Sequence, residues 1–192
     1  LSVATLYVTH DQVEAMTLGD RVAVMHEGVL QQVADPYEIY TRPRNIFVAS
    51  FIGAPSMNLV ESLFDIEDGE GVCRFGGHEI RVPGAILSSH PRLVEIAGSP
   101  VGLGIRPEGI TNGISDRRNE QTISSEVQRI EYLGSDTLAH ITVAARDVSG
   151  ISGESDRIKA REPRLTNTKE KTTLVIRCDP KVPLQRGQVS TF

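Results

Sequence analysis

The period of apolar and polar positions changes repeatedly over residues 1–55, and each change predicts an element. Leu6-Tyr7-Val8 is a short apolar run that reads as a buried strand. Thr9 stands three residues before Gln12, the spacing of a capping box, in which the hydroxyl and the amide satisfy orphan backbone donors at a helix start. Val13, Met16 and Thr17 then fall on one helical face, and Gly19 supplies a stop. Arg21 to Met25 and Val29 to Val33 read as strands joined by a Glu27-Gly28 turn. Asp35-Pro36-Tyr37-Glu38 combines an N-cap Asp, Pro at the first helical position and Glu at the third, and opens a helix that ends before Pro43. Asn45 to Ile52 reads as a further helix, stopped by Gly53-Ala54-Pro55.

From Met57 the texture becomes strand-like. Asn58 to Ile66, Val72 to Phe75 and His78 to Val82 alternate with turns, the last pair across a Gly76-Gly77 hairpin. Further strands are expected at Val101 to Arg106, Thr122 to Tyr132, Leu138 to Ala144, Thr173 to Cys178 and Gln188 to Phe192. Strand-length runs separated by turn chemistry predict a small all-β sandwich or barrel. The pattern therefore divides the chain near Gly53 to Ser56, into residues 1–55 and 56–192. Arg146 to Lys171 is polar and weakly patterned, and is expected to be a mobile loop with one short strand near Arg157 to Ala160. No internal repeat of fixed period stands out.

Composition narrows the function classes. A net charge of −5 argues against a dedicated nucleic-acid binder, which carries a basic surplus. No long uncharged apolar run is present, so no membrane-spanning helix is expected. Leu1-Ser2-Val3-Ala4-Thr5 leads straight into a patterned strand, so no secretory leader is expected either. The first residue is Leu rather than Met, which predicts a chain cut from something longer. Cys73 and Cys178 lie far apart without zinc-ligand spacing, and read as reduced thiols of a cytosolic protein.

His10 carries the most distinctive chemistry. A Thr-His-Asp turn between a short strand and an amphipathic helix mounts a histidine at the carboxyl end of a strand, where α/β folds place their chemistry. His26, His78, His90 and His140 are scattered, with no second ligand at metal spacing, so no metal site is expected. Asp11, Glu14 and Asp20 could serve acid–base chemistry, but capping and solvation of a helix explain them better. Arg157 to Lys171 is mixed in sign and reads as a solvated loop rather than a nucleic-acid patch.

Three ordered stretches resemble the end of an ABC ATPase domain of the carbohydrate-importer type. They are Tyr7-Val8-Thr9-His10-Asp11-Gln12-Val13-Glu14-Ala15-Met16, Gly19-Asp20-Arg21-Val22-Ala23-Val24-Met25 and Asp35-Pro36-Tyr37-Glu38-Ile39-Tyr40. Phe47 to Asn58 resembles that family's junction into its regulatory domain. Leu103-Gly104-Ile105-Arg106-Pro107-Glu108 and Glu131-Tyr132-Leu133-Gly134-Ser135-Asp136 are similar to its OB-like (TOBE/MOP-type) regulatory domain. The resemblance implies an α+β chain: the C-terminal fragment of an α/β ABC ATPase domain, then an all-β OB-like domain.

In that family the histidine matching His10, in the switch loop, contacts the γ-phosphate of ATP. An imidazole N–H there stabilises charge where it develops, and positioning is most of what phosphoryl transfer needs. The resemblance also implies ATP and Mg²⁺ as cofactors of a complete subunit, and coupling of ATP hydrolysis to uptake of sugars or related solutes. Its partners would be a second ATPase subunit in a homodimer, membrane permease subunits and a regulatory protein, with no nucleic acid. The complete subunit would be cytoplasmic and peripheral on the inner face of the plasma membrane. Arg106, Glu108, Gly134 and Asp136 would belong to regulatory or dimer contacts, with a structural turn favoured over a ligand site.

The departures from the family pattern limit what this chain can do. No G-x-x-x-x-G-K-[ST] occurs, so the backbone cradle and lysine for the β/γ-phosphates are missing. The signature motif and the apolar strand ending in Asp-Glu are missing too. Gly109 stands where the family's Arg-Pro-Glu continues with His, and Phe192 ends the chain within an expected strand. No cofactor binding and no unaided ATP hydrolysis are therefore expected. A stand-alone non-enzymatic regulatory or dimerisation module, or an inactive gene remnant, are the alternatives. Truncation at both ends would leave open sheet edges, which are sticky.

Overall fold

The computed structural model describes residues 3–112, 121–150 and 170–192. The expected short strand at 157–160 and most of the expected loop lie outside those residues.

The first part of the chain is a hairpin covered by three short helices. Strands β1 (Val22–His26) and β2 (Val29–Ala34) pair antiparallel, with Val22 opposite Ala34 and Val24 opposite Gln32. Glu27 (φ 48°) and Gly28 (φ 78°) both sit in the left-handed region, as the tightest hairpin turns require. Helices α1 (Gln12–Leu18), α2 (Pro36–Thr41) and α3 (Ile46–Phe51) cover one face of this ribbon. Val22, Val24 and Ala34 pack there with Ile39, Val48 and Ile52, and Met16 closes the cluster. Each helix has a side-chain cap: Asp11 accepts from Val13 N and Glu14 N, Asp35 from Glu38 N, and Asn45 from Val48 N. Buried Gln32 fixes the link between α2 and α3, donating to Arg42 O at 3.1 Å and accepting from Arg44 N at 2.8 Å.

Three local expectations are corrected. Leu6-Tyr7-Val8 forms no ladder and is exposed, Leu6 at 91% and Val8 at 86%, because no described strand lies alongside to pair with it. The helix cap is Asp11 rather than Thr9, and Gln12 turns away to Gly53 instead of closing a capping box. The half-buried face of α1 runs through Gln12, Ala15 and Met16, whereas Val13 and Thr17 face outward.

The rest of the described chain is mostly antiparallel sheet, consistent with an OB-like domain. One sheet orders β5 (His78–Val82), β4 (Glu70–Phe75), β3 (Asn58–Glu67) and β6 (Ser99–Ile105). The other orders β10 (Val189–Thr191), β7 (Ser124–Tyr132), β8 (Thr137–Val143) and β9 (Thr172–Cys178). They share one core, in which Val60 and Phe75 of the first meet Val127, Ile141, Leu174 and Ile176 of the second. Strand β3 is central and serves two faces: Val60 enters that core, while Leu59 packs with Ala49 of α3 and Val148. Asn58 links the sheets, donating to Val175 O at 2.8 Å and accepting from Val175 N at 2.7 Å.

Arg146 to Val148 runs beside β3, with Glu61 N donating to Arg146 O at 2.9 Å and Val148 N to Leu59 O at 3.3 Å. Helices α4 (Gly84–Ser89) and α5 (Arg92–Glu95) have no counterpart in the sequence reading, since one turn or so is too short to show a helical period. Leu87 and Leu93 from them pack on Phe64 and Cys73.

Candidate functional site

His10 occupies the bend immediately before α1, with an exposed side chain. Hydrogen bonds fix the turn on both sides of it. Asp11 N donates to Thr9 Oγ1 at 3.0 Å, and Thr9 Oγ1 donates to Glu14 Oε2 at 2.7 Å. Tyr7 Oη donates to the same Glu14 oxygen at 3.1 Å, and this carboxylate holds the phenol above its ordinary pKa. Asp11 caps α1 and Ala15 N donates back to Asp11 O at 3.1 Å. The acidic residues near His10 thus hold the turn, and the imidazole is presented outward.

Gln12 ties this turn to the end of α3. Gly53 N donates to Gln12 Oε1 at 2.7 Å, and Gln12 Nε2 donates to Gly53 O at 3.3 Å. Arg106 reaches the same place from the end of β6. Its Nη1 donates to Ile52 O, its Nη2 donates to Tyr40 O at 2.7 Å, and its guanidinium carbon lies 4.0 Å from the Tyr40 ring centroid. Tyr40 Oη donates in turn to Glu108 Oε1. Burial pulls the Arg106 pKa below its ordinary value, opposed by the neighbouring Tyr40 and Glu108. Burial, then the Glu108 hydrogen bond, raises Tyr40.

Of the residues singled out in sequence, Arg106 and Glu108 are brought together on Tyr40. His10 joins them only through Gln12 and the Ile52–Gly53 backbone. Gly134 and Asp136 lie elsewhere, in the β7–β8 turn, where Gly134 has φ 80° and Leu133 N donates to Asp136 O at 2.8 Å. Tyr132 and Leu133 beside them are exposed. Gln12, Tyr40 and Gly53 were not singled out as site residues. The Gly53-Ala54-Pro55 signal was legible as a helix stop, but no periodicity shows that a helix stop receives two side chains from distant elements.

The sequence has no phosphate-binding loop, and no group of three or more His, Cys, Asp and Glu among the described residues could hold a metal ion. No described helix is long and apolar enough to cross a membrane.

Comparison with known proteins places these features in a family. A TOBE domain model matches residues 103–164. The trehalose/maltose import ATP-binding protein MalK of Thermococcus litoralis is 38% identical over 164 residues, covering 83% of this chain and 42% of that protein. The xylose/arabinose import ATP-binding protein XacK of Haloferax volcanii is 44% identical over 142 residues, 73% of this chain and 34% of that protein. The sn-glycerol-3-phosphate import ATP-binding protein UgpC of Salmonella choleraesuis is 43% identical over 141 residues, 73% of this chain and 36% of that protein. The chain thus spans well under half the length of these curated relatives. It matches the C-terminal part of the ATP-binding subunits of carbohydrate-importing ABC transporters, TOBE domain included.

Proposed function

We propose that this chain is the C-terminal part of an ATP-binding subunit that couples ATP hydrolysis to uptake of a sugar or related solute. Residues 1–55 are the end of the nucleotide-binding domain, and residues 56–192 are the OB-like regulatory domain. The observation that carries this reading is the mounting of His10. Its imidazole is exposed at a turn held by Thr9, Asp11 and Glu14, in a segment with the family's switch-loop sequence. In the complete subunit, an imidazole N–H at that turn faces the γ-phosphate and stabilises developing charge. The chain alone lacks the cradle for the rest of the nucleotide, so ATP and Mg²⁺ belong to the complete subunit.

The complete subunit works on the cytoplasmic face of the membrane, as a homodimer against permease subunits. Solute choice lies with permeases and binding proteins. Gly134, Asp136 and the exposed Tyr132 and Leu133 offer a contact surface in the β7–β8 turn for a second subunit or a regulatory protein.

The test uses both lengths of protein. The chain alone shows no thermal shift at millimolar ATP, whereas bound ATP would stabilise it by mass action. In a complete subunit carrying this segment, His10→Ala collapses turnover and leaves ATP affinity largely intact. Nearly normal turnover would remove His10 from the phosphate-facing role.

A further inference from the structure

Two side chains from distant parts of the chain converge on one short backbone segment. Gln12, the first residue of α1, exchanges two hydrogen bonds with Gly53, at 2.7 and 3.3 Å. Arg106, at the end of β6, donates to Ile52 O on the residue before and to Tyr40 O at 2.7 Å. Gly53 makes this convergence possible. Its φ is +125°, a conformation that L side chains rarely adopt. A Cβ there would stand 2.7 Å from Arg106 Nη1 and 3.6 Å from Tyr40 Cε2. The missing side chain is the space the guanidinium fills.

Gln12 lies two residues after His10, and the intervening Asp11 both caps α1 and bonds to Thr9 through its backbone N–H. The turn is therefore braced internally by Thr9, Asp11 and Glu14, and externally by Gln12. A braced turn moves as a unit, so a displacement of Ile52–Gly53 is passed to His10 through Gln12. Arg106 is the side chain that fixes Ile52–Gly53 from the β part of the molecule.

We propose that Ile52–Gly53 is a coupling node through which Arg106 sets the position of the histidine turn, with Arg106 and Gln12 as positioning residues. The functional consequence rests on the reading of His10 as the phosphate-facing residue; the mechanical link does not. A conformational change in the β part that withdrew Arg106 would loosen the node and release His10 from its fixed placement. The coupling is carried by hydrogen bonds between two elements, and it needs no nucleotide to be observed.

The link is tested in the 192-residue chain by NMR, through the ring C–H resonances of His10 and the exchange rate of the Gly53 amide. Gln12→Ala removes the acceptor for Gly53 N–H at a half-exposed position. Arg106→Met keeps the apolar stem and removes the donors. Both variants should shift the His10 resonances and speed Gly53 exchange about two- to tenfold, the range expected for one lost hydrogen bond. Asn58→Ala, which breaks the Asn58–Val175 pair, should lower the melting temperature without moving His10. Unmoved His10 resonances in Arg106→Met, or equal movement in Asn58→Ala, would overturn the coupling. Should Arg106→Met fail to fold, Arg106→Lys is the second arm, with an intermediate shift expected and a wild-type spectrum counting against the node.

In a complete subunit, Gln12→Ala should lower kcat several-fold with little change in KM for ATP. Full kcat there would remove the catalytic consequence. Normal turnover of His10→Ala in that subunit would retire the phosphate-facing reading while leaving the NMR link standing, so the two failures are separable.

Discussion

The guanidinium of Arg106 lies 4.0 Å from the ring centroid of Tyr40 and donates to that residue's own carbonyl at 2.7 Å. One side chain from the β part thus grips both the face and the backbone of a residue on α2. Stacking on an aromatic face suits a planar, weakly hydrated cation, and a lysine cannot reproduce the two-pronged donation. Glu108, two residues after Arg106, receives the Tyr40 hydroxyl and completes the contact.

Removing the two halves of this contact should therefore give different costs. Tyr40→Phe keeps the ring and loses the hydroxyl donor, costing at most about 1 kcal/mol at a part-exposed site. Tyr40→Leu loses the ring face as well, about 1–2 kcal/mol in all. A double-mutant cycle of Tyr40→Leu with Arg106→Met should show a coupling energy of about 0.5–2 kcal/mol by urea unfolding. Simple additivity would mean the stack contributes nothing. The phenol adds a pH signature. Its pKa in the fold is raised above 10.0, chiefly by burial and then by Glu108, so its contribution is present below pH 10 and lost as pH rises through the folded value. The stability gap between wild type and Tyr40→Phe should narrow above pH 10.

Gly53 and Gly28 differ in crowding as well as in backbone strain. Gly28 has φ +78° with nothing near the place of a Cβ, so Gly28→Ala meets strain alone, about 1 kcal/mol. Gly53→Ala meets strain at φ +125° and also a Cβ 2.7 Å from Arg106 Nη1 and 3.2 Å from Pro55 O. The guanidinium can move but only by giving up its carbonyl partners, so the cost should exceed that of Gly28→Ala by about 1 kcal/mol or more. Thermal melts of the two variants decide it. Equal losses would show that Arg106 is not confined by Gly53.

Much of this architecture was legible in the residues because its signals are local. Asp35-Pro36 with Glu38, and Asn45, mark helix starts by capping chemistry, and Glu27-Gly28 and Gly76-Gly77 mark turns by their tolerance of positive φ. What failed was non-local. Leu6 to Val8 has a strand's composition, but a ladder needs a neighbour, and no described strand provides one. Thr9 and Gln12 have the spacing of a capping box, but Asp11 is the better acceptor for the first helical amides and leaves Gln12 free for Gly53. The placement of Arg106 on Tyr40 joins residues 66 positions apart, and no periodicity encodes such a contact. The proposed switch-loop role of His10 rests on family likeness, since an exposed imidazole at a turn is chemically unremarkable by itself.

Asn58 tests how the two sheets are held together. It is buried at 7% exposure, and its amide pairs both backbone groups of Val175, in the other sheet. Asn58→Ala would leave Val175 N–H and C=O without that partner at a part-buried place, at a cost of about 1–2 kcal/mol. Asn58→Asp keeps the acceptor for Val175 N–H but sets a carboxylate against Val175 O. It should be at least as damaging at pH 7 and recover below about pH 4, where the acid protonates and can donate. Urea unfolding at the two pH values measures both. A loss no larger than a surface substitution would show that packing around Val60 and Ile176 suffices to join the sheets.

Cys178 offers the clearest pH test in the core. Cys178 is 3% exposed at the end of β9 and its thiol donates to Ile176 O at 3.8 Å; burial pushes its pKa from 9.0 up to about 11, opposed by the Ala139 backbone. The folded protein favours the neutral thiol, so the contribution to stability is fully present below about pH 9. It is lost as pH rises from there to about 11, because the unfolded chain releases the proton first. Cys73 is raised in the same direction by burial and leaves a second, separate alkaline slope. Cys178→Ala should therefore cost about 1 kcal/mol at pH 7 through the lost sulfur contacts, yet decline less steeply than wild type between about pH 9 and 11. Unfolding free energies at pH 7, 9 and 10.5 give the slopes directly. Parallel slopes in the two proteins would mean that Cys178 ionises in the fold as readily as in the open chain, which its burial opposes.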